Sequence, residues 1–375
     1  MVEGTSEGIQ ASQWIRRAIA QGLVRGATPL QDGQVQPNSL DLRLGQAAWR
    51  LQCSVLPGEE GMEKKLARHA WSALPVTDQG LLLERNAVYL FALQESLDLP
   101  PGLSARGNAK SSTGRLDLFT RLLTERGTTF DEVPDGYRGR LFLEVIPRSF
   151  AIVVRPGDSL AQLRFQCGTP DLDDDALRRA LDTEALVTDE VGTPVGARRL
   201  KVGRGVYLSV KLQKAGETVG YRALKNTNPI DLRALGSYPV KRYWQPLAWS
   251  PEEPVILEPN EFYIFASREL VRLPPAFCAE MVAFDPNAGE LRTHYAGFFD
   301  SGFGYARDLP PARSAAAVVL EIRNHDVPFL LEDGNPLFRL VFFKNSEPPD
   351  RLYGQALGSN YQGQRLKLGK QFAQP

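Results

Sequence analysis

Apolar residues in this chain come mainly in short runs separated by turn residues. Val88-Tyr89-Leu90-Phe91, Leu141-Phe142-Leu143 and Ala151-Ile152-Val153-Val154 mark the first half. Phe262-Tyr263-Ile264-Phe265, Val318-Val319-Leu320 and Leu340-Val341-Phe342-Phe343 mark the second. Runs this short, rich in β-branched and aromatic residues, predict the strands of a sandwich or barrel. The 33 glycines and 27 prolines are spread along the chain, as many short strands joined by turns require. Two stretches have helical spacing instead. Ser12 to Gln21 offers a Ser cap and stops before Gly22. Asp173 to Leu186 opens on three acids, which suit the positive end of a helix dipole. Thr188 to Gly205 is polar and glycine-rich, so the segment from about Gly168 to Gly205 is expected to link two domains.

The strand pattern repeats. Leu83-Glu84-Arg85-Asn86-Ala87-Val88-Tyr89-Leu90-Phe91-Ala92 returns as Leu257-Glu258-Pro259-Asn260-Glu261-Phe262-Tyr263-Ile264-Phe265-Ala266, and Leu99-Pro100-Pro101 returns as Leu273-Pro274-Pro275 at the same spacing. Asn38-Ser39-Leu40-Asp41-Leu42-Arg43 is echoed by Asn228-Pro229-Ile230-Asp231-Leu232-Arg233. Leu143-Glu144-Val145 is echoed by Leu320-Glu321-Ile322, and the run from Gly157 to Phe165 by the run from Gly334 to Phe342. Five matches in one order mean a duplicated domain, since the period is far longer than that of a solenoid. The expected layout is a first domain over 1–167, a helical segment and linker over 168–205, and a second domain over 206–375.

Charge narrows the function classes. Lys plus Arg and Asp plus Glu both number 44 among 375 residues, which argues against a protein built to grip a nucleic acid polymer. A small anionic ligand needs only a few local cations and stays open. Cys53, Cys167 and Cys278 show no metal or disulfide spacing. No apolar run reaches membrane-spanning length, and no signal segment opens the chain. A cytoplasmic protein is the expectation.

Lys110-Ser111-Ser112-Thr113-Gly114-Arg115 sets two hydroxyls and two cations beside a glycine, the donor set of a phosphate-binding turn. A polar loop capping a helix fits the same composition. With its neighbours the segment becomes specific. Lys-Ser-Ser-x-Gly-Arg-Leu resembles the motif of the dCTP deaminase branch of the dUTPase-like family, and Gln36 to Gly45 resembles a strand of that family. In the second copy, Tyr295-Ala296-Gly297-Phe298-Phe299-Asp300-Ser301-Gly302-Phe303 resembles the family's base-binding hairpin. Val319-Leu320-Glu321 resembles the strand ending in its catalytic glutamate. Tyr353 and Asn360-Tyr361-Gln362-Gly363-Gln364 resemble the tail that closes over the nucleotide.

The resemblance implies a mainly β fold, with two tandem dUTPase-like barrel or sandwich domains and a few short helices. It implies hydrolytic deamination of dCTP to dUTP and ammonia. Glu321 would be the general base, with Glu144 its alternative in the first copy. Ser111 and the carbonyl near Ala296 would hold the water, and Arg115 would stabilise developing charge. Lys110 and Ser112 would meet phosphates, with Mg2+ carried on the triphosphate. Gly297, Phe298 and Asp300 would face the base, and Tyr353, Asn360, Tyr361 and Gln364 would close the tail. Family sites lie between subunits, so a homo-oligomer, trimer or larger, is expected. The copies have kept complementary parts. The second copy's counterpart of the phosphate motif, Phe284 to Leu291, lacks both serines and the cations, so one site is expected to draw on both copies. Zinc is not expected, because Cys-x-x-Cys is missing and His69, His294 and His325 have no ligand spacing. The rivals are a dUTP diphosphatase, a bifunctional enzyme making dUMP from dCTP, and a non-catalytic nucleotide sensor.

Overall fold

The computed structural model describes residues 5–212, 216–250, 254–282, 291–293, 297–324, 326–354 and 361–373. The chain forms two compact units. The first comprises Met1–Pro170, Asn226–Leu235 and Asn345–Asp350; the second comprises Asp171–Lys225, Gly236–Lys344 and Arg351–Pro375.

The first unit is mainly strands: β1 (Leu40–Leu51), β2 (Val88–Asp98), β3 (Leu103–Ala109), β4 (Leu118–Thr124), β5 (Arg138–Pro147) and β6 (Ser159–Cys167). Their order in the sheet is β4-β5-β2-β1-β6-β3. The second unit repeats this order with β7 (Val206–Ser209), β8 (Thr218–Ala223), β9 (Phe262–Val271), β10 (Phe277–Met281), β11 (Ala316–Asn324) and β12 (Pro336–Lys344). There β11-β9-β8 and β7-β12-β10 are successive neighbours in two sheets. The strand that is continuous as β1 is divided between β7 and β8. The mainly β, duplicated architecture expected from the short apolar runs is the architecture observed.

Helix α1 spans Ser12–Ala20 and buries Trp14, Ile15 and Ala18. Its N-cap is Ala11 rather than Ser12, and no side chain caps it. The Ser12 hydroxyl instead donates to Asp350. Helix α2 (Met62–His69) has no counterpart among the helices expected. Helix α3 (Asp174–Glu184) is capped by Asp173, which accepts from the Ala176 N–H at 2.7 Å. From Asp171 onward the segment read as linker belongs to the second unit, with Leu177, Leu181, Leu186, Val187 and Val195 in its core.

The longest sequence match has a physical cause. Asn86 and Asn260 both take left-handed backbone, φ 58° and 59°, which Asn tolerates better than most side chains. Three residues on, Tyr89 and Tyr263 are buried, and each hydroxyl accepts a backbone N–H from five residues back: Glu84 at 3.0 Å and Glu258 at 2.8 Å. The turn and its tyrosine latch have been kept twice. Tyr89→Phe and Tyr263→Phe are each expected to cost about 0.5–1.5 kcal/mol, because a part-buried N–H loses its acceptor. Urea denaturation of each variant checks the loss.

The echo between Asn38–Arg43 and Asn228–Arg233 is not a structural equivalence. Residues 40–43 lie in β1, in the middle of the first sheet. Ile230–Asp231 instead adds a parallel two-residue strand to Ile152–Val153 of the first unit. Asp231 there receives both guanidinium nitrogens of Arg155, at 2.7 and 2.8 Å.

Candidate active site

Lys110 to Arg115 leaves β3 as a single helical turn, Ser111–Gly114. The Thr113 hydroxyl pins that turn by donating to the Leu160 carbonyl at 2.8 Å. Ser111 and Ser112 stay half-buried, while Arg115 is 2% exposed. Lys110, expected at a phosphate, forms an ion pair with Asp41 of β1. Asp41 thus supplies the turn's electrostatic anchor, and Arg43, on the same face two residues later, grips Glu95. These contacts explain the Asp-x-Arg spacing in the first copy.

Glu144 and Glu321 occupy matching places. Glu144 lies opposite Leu90 in β2, and Glu321 opposite Ile264 in β9, at corresponding positions of the repeat. Both are buried, at 1% and 4% exposure. Strand alternation turns Leu320 and Ile322 into the core and Glu321 to the other face. Glu144 accepts from the Ser54 hydroxyl at 2.9 Å and from the Val55 N–H, while its Oε2 is buried without a partner. Burial pushes its carboxyl above the ordinary carboxylate range; the two hydrogen bonds and the charge of Arg121 partly offset this. Arg121, directly across from Glu144 on β4, pairs with Asp131 at 2.6 Å and lies over the Phe119 ring.

A raised folded-state pKa means that the folded chain holds a proton the unfolded chain has released. The associated stability is present below the unfolded value and is lost as pH rises through the folded one. Glu144→Gln is therefore expected to flatten the fall in stability as pH rises above the ordinary glutamate value of 4.5. Urea midpoints of both proteins across that range check it.

In the second unit the hairpin residues and the tail meet. Phe298 and Phe299 pair with Glu280 and Ala279. Asp300 follows at 7% exposure, and the Ser301 hydroxyl donates to the Phe277 carbonyl at 2.7 Å. Gly302 has φ 100°, and a Cβ there would stand 2.5 Å from the Tyr353 nitrogen, so only glycine fits. The Tyr353 N–H donates to the Ser301 carbonyl at 2.8 Å. Gln362 clamps the turn, donating to the carbonyls of Gly302 and Tyr305 at 3.1 and 3.2 Å. Gln364, expected at a phosphate, is 7% exposed and donates to the Ala317 carbonyl at 3.1 Å, at the start of β11. Tyr361 is buried, with the Lys367 ammonium 5.8 Å from its ring centre. Gly297 accepts from the Met281 N–H. Ala296, Asn360 and His294 lie outside the described residues.

Sequence reasoning missed Ser54, Arg121 and Gln362. Ser54 and Arg121 sit far from Glu144 in sequence and join it only through sheet pairing. Gln362 stood inside the tail motif, and its amide, a donor and an acceptor in one side chain, was the available signal. Among the described residues no three His, Cys, Asp or Glu side chains gather as a metal site would.

Two family models divide the chain between them. Residues 6–169 match the N-terminal domain of 2'-deoxycytidine 5'-triphosphate deaminase, and residues 173–372 match its C-terminal domain. The chain belongs to the dCTP deaminase family. A crystal structure of 2'-deoxycytidine 5'-triphosphate deaminase from Agrobacterium tumefaciens is similar with a TM-score of 0.84 and 42% identity, over 92% of this chain and 100% of that one. Curated relatives match over a shorter span. A "dCTP deaminase, dUMP-forming" of Kocuria rhizophila is 35% identical over 120 residues, 31% of this chain and 57% of that protein. One from Nocardioides sp. is 35% identical over 118 residues, 30% of this chain and 56% of that protein. This dCTP deaminase family member thus spans little more than half the length of these curated relatives.

Proposed function

We propose that this protein hydrolyses dCTP to dUTP and ammonia, with Glu321 as the general base. The observation that carries the reading is a buried carboxylate on β11, the strand whose start takes the tail's Gln364, in a chain whose two halves match the two dCTP deaminase domains. Glu321 takes a proton from water, and the hydroxide forms the new bond to C4 of cytosine. The same carboxyl gives that proton to N3, then takes the proton of the new C4 hydroxyl and passes it to the amino group, so that the C4–N bond breaks, ammonia leaves and C4 keeps a carbonyl. Ser111 holds the water, Arg115 stabilises the charge that develops on the ring, and Ser112 and Lys110 meet the triphosphate. Lys110 exchanges Asp41 for phosphate when it does so. Mg2+ enters with the triphosphate as part of the substrate. The hairpin at Gly297, Phe298 and Asp300 faces the base, and the tail through Tyr353, Tyr361 and Gln364 covers it. The working form is a homo-oligomer, trimer or larger, and cytoplasmic.

A second reading is favoured by the dUMP-forming name of the Kocuria and Nocardioides relatives. In that reaction pyrophosphate leaves as well, and Asp300 would orient the water that attacks the α-phosphate. Ammonia and pyrophosphate measured together from dCTP, and pyrophosphate from dUTP, separate the readings. Ammonia alone supports deamination to dUTP. Both products from dCTP support the dUMP-forming reaction. Pyrophosphate from dUTP without ammonia from dCTP means a diphosphatase, and tight binding with neither product means a sensor.

A further inference from the structure

The two copies use one connection in two ways. In the first copy, residues 52–69 join β1 to the next strand, Ala70–Pro75, and the Gln52 N–H closes the loop on the His69 carbonyl at 2.9 Å. In the second copy, residues 224–243 join β8 to Trp244–Ala248, and the Leu224 N–H closes that loop on the Tyr243 carbonyl at 2.8 Å. The second connection is directed elsewhere: its residues 226–235 are part of the first unit, where Ile230 and Asp231 pair with Ile152 and Val153. The first connection folds back over its own glutamate. Ser54 and Val55 both donate to Glu144. Val55 sinks into an apolar cluster with Leu51, Met62, Leu90, Leu123 and Phe142. The segment is fastened beyond this point too, by Gly58 N–H to the Gly127 carbonyl and Met62 N–H to the Glu125 carbonyl, both 2.9 Å.

We propose that Ser54 and Val55 form a fixed stopper that closes the glutamate site of the first copy and leaves one nucleotide site, that of Glu321, per chain. A hydroxyl and an N–H stand where a water and a nucleotide donor would have to bind, and the valine side chain fills apolar space behind them. The carboxylate is retained because its partners come from the chain itself, although one oxygen is left without any. Loss of the serines and cations from the second copy's phosphate motif fits the same outcome, since a closed site exerts no demand for them.

This inference rests on the deaminase reading for the identity of the ligand, so its test uses binding and exchange as well as turnover. Calorimetric titration of the full chain with Mg2+ and α,β-imido-dUTP, which can be neither deaminated nor cleaved, is expected to give one site per chain. Replacing both Ser54 and Val55 by Gly is expected to open a second, weaker site, since the second copy's phosphate motif has lost its serines and cations, with a thermal melt confirming that the variant is folded. Two sites in the unaltered protein, or no second site of any affinity in the folded variant, would overturn the stopper. Hydrogen exchange judges it without any nucleotide: the Val55 amide is expected to be among the slowly exchanging ones, and rapid exchange overturns the proposal. Failure of the deaminase reading looks different. No ammonia is released from dCTP, while the Val55 amide stays protected.

Discussion

Glu321→Gln is expected to lower ammonia release from dCTP by about 10²–10⁴-fold, the usual worth of a positioned general base. Gln keeps the size and shape of the side chain but cannot take a proton from water or return one to N3. The fold has little reason to respond, because Leu320 and Ile322, which enter the core on the opposite face, are untouched. The melting temperature is expected to move by no more than about 4 °C, as a change of about 1 kcal/mol would in a domain of about 150–250 residues. Turnover from a coupled ammonia assay and a thermal melt on one preparation check both parts. The comparison protein is Glu144→Gln. If turnover disappears there and survives in Glu321→Gln, the base is in the first copy and the assignment is wrong.

The second large effect concerns stability. Glu95→Ala is expected to cost about 3–5 kcal/mol, because it breaks a buried ion pair and strands the partner. The Glu95 side chain is fully buried and that of Arg43 is 8% exposed. Glu95 accepts from the Arg43 backbone N–H at 2.8 Å, from Arg43 Nε at 2.7 Å and from Gln34 at 3.1 Å. Alanine leaves all three donors without this acceptor. Arg43 keeps contacts with Thr28 and the Pro29 carbonyl, which places the expected cost in the lower half of the range. The pair Arg43→Met with Glu95→Leu is expected to recover most of the loss, because neither a charge nor an acceptor is then buried. Urea denaturation of the single and double variants measures both numbers. Recovery would identify the Asp-x-Arg spacing of β1 as a device for fastening strands, separate from catalysis.

Much of the candidate site was legible because it was encoded locally. Ser111, Ser112 and Arg115 share one turn, and that turn forms from six consecutive residues. Glu144 and Glu321 were matched by their neighbours in sequence, and the sheet register puts them in matching places. Lys110 was less legible. Its type and spacing suit a phosphate, but the structure pairs it with Asp41, sixty-nine residues earlier. A flexible ammonium takes whatever carboxylate the sheet brings near, and only strand order decides which one that is. Gln364 is similar: its amide meets the backbone of Ala317, a pairing that no spacing within the tail encodes.

The sequence by itself determined the duplication, the strand-rich character of both copies and the turn shared by Asn86–Tyr89 and Asn260–Tyr263. These depend on contacts only a few residues long, which the same short string reproduces wherever it occurs. Tertiary structure alone decided where Asn228–Arg233 lies, which connection covers a glutamate and which side chains surround it. An alternating string such as Asn-x-x-Asp-Leu-Arg favours extended backbone but does not choose its neighbour. That choice belongs to the pairing of strands far apart in the chain, and here it sent the same connection of the two copies to different places.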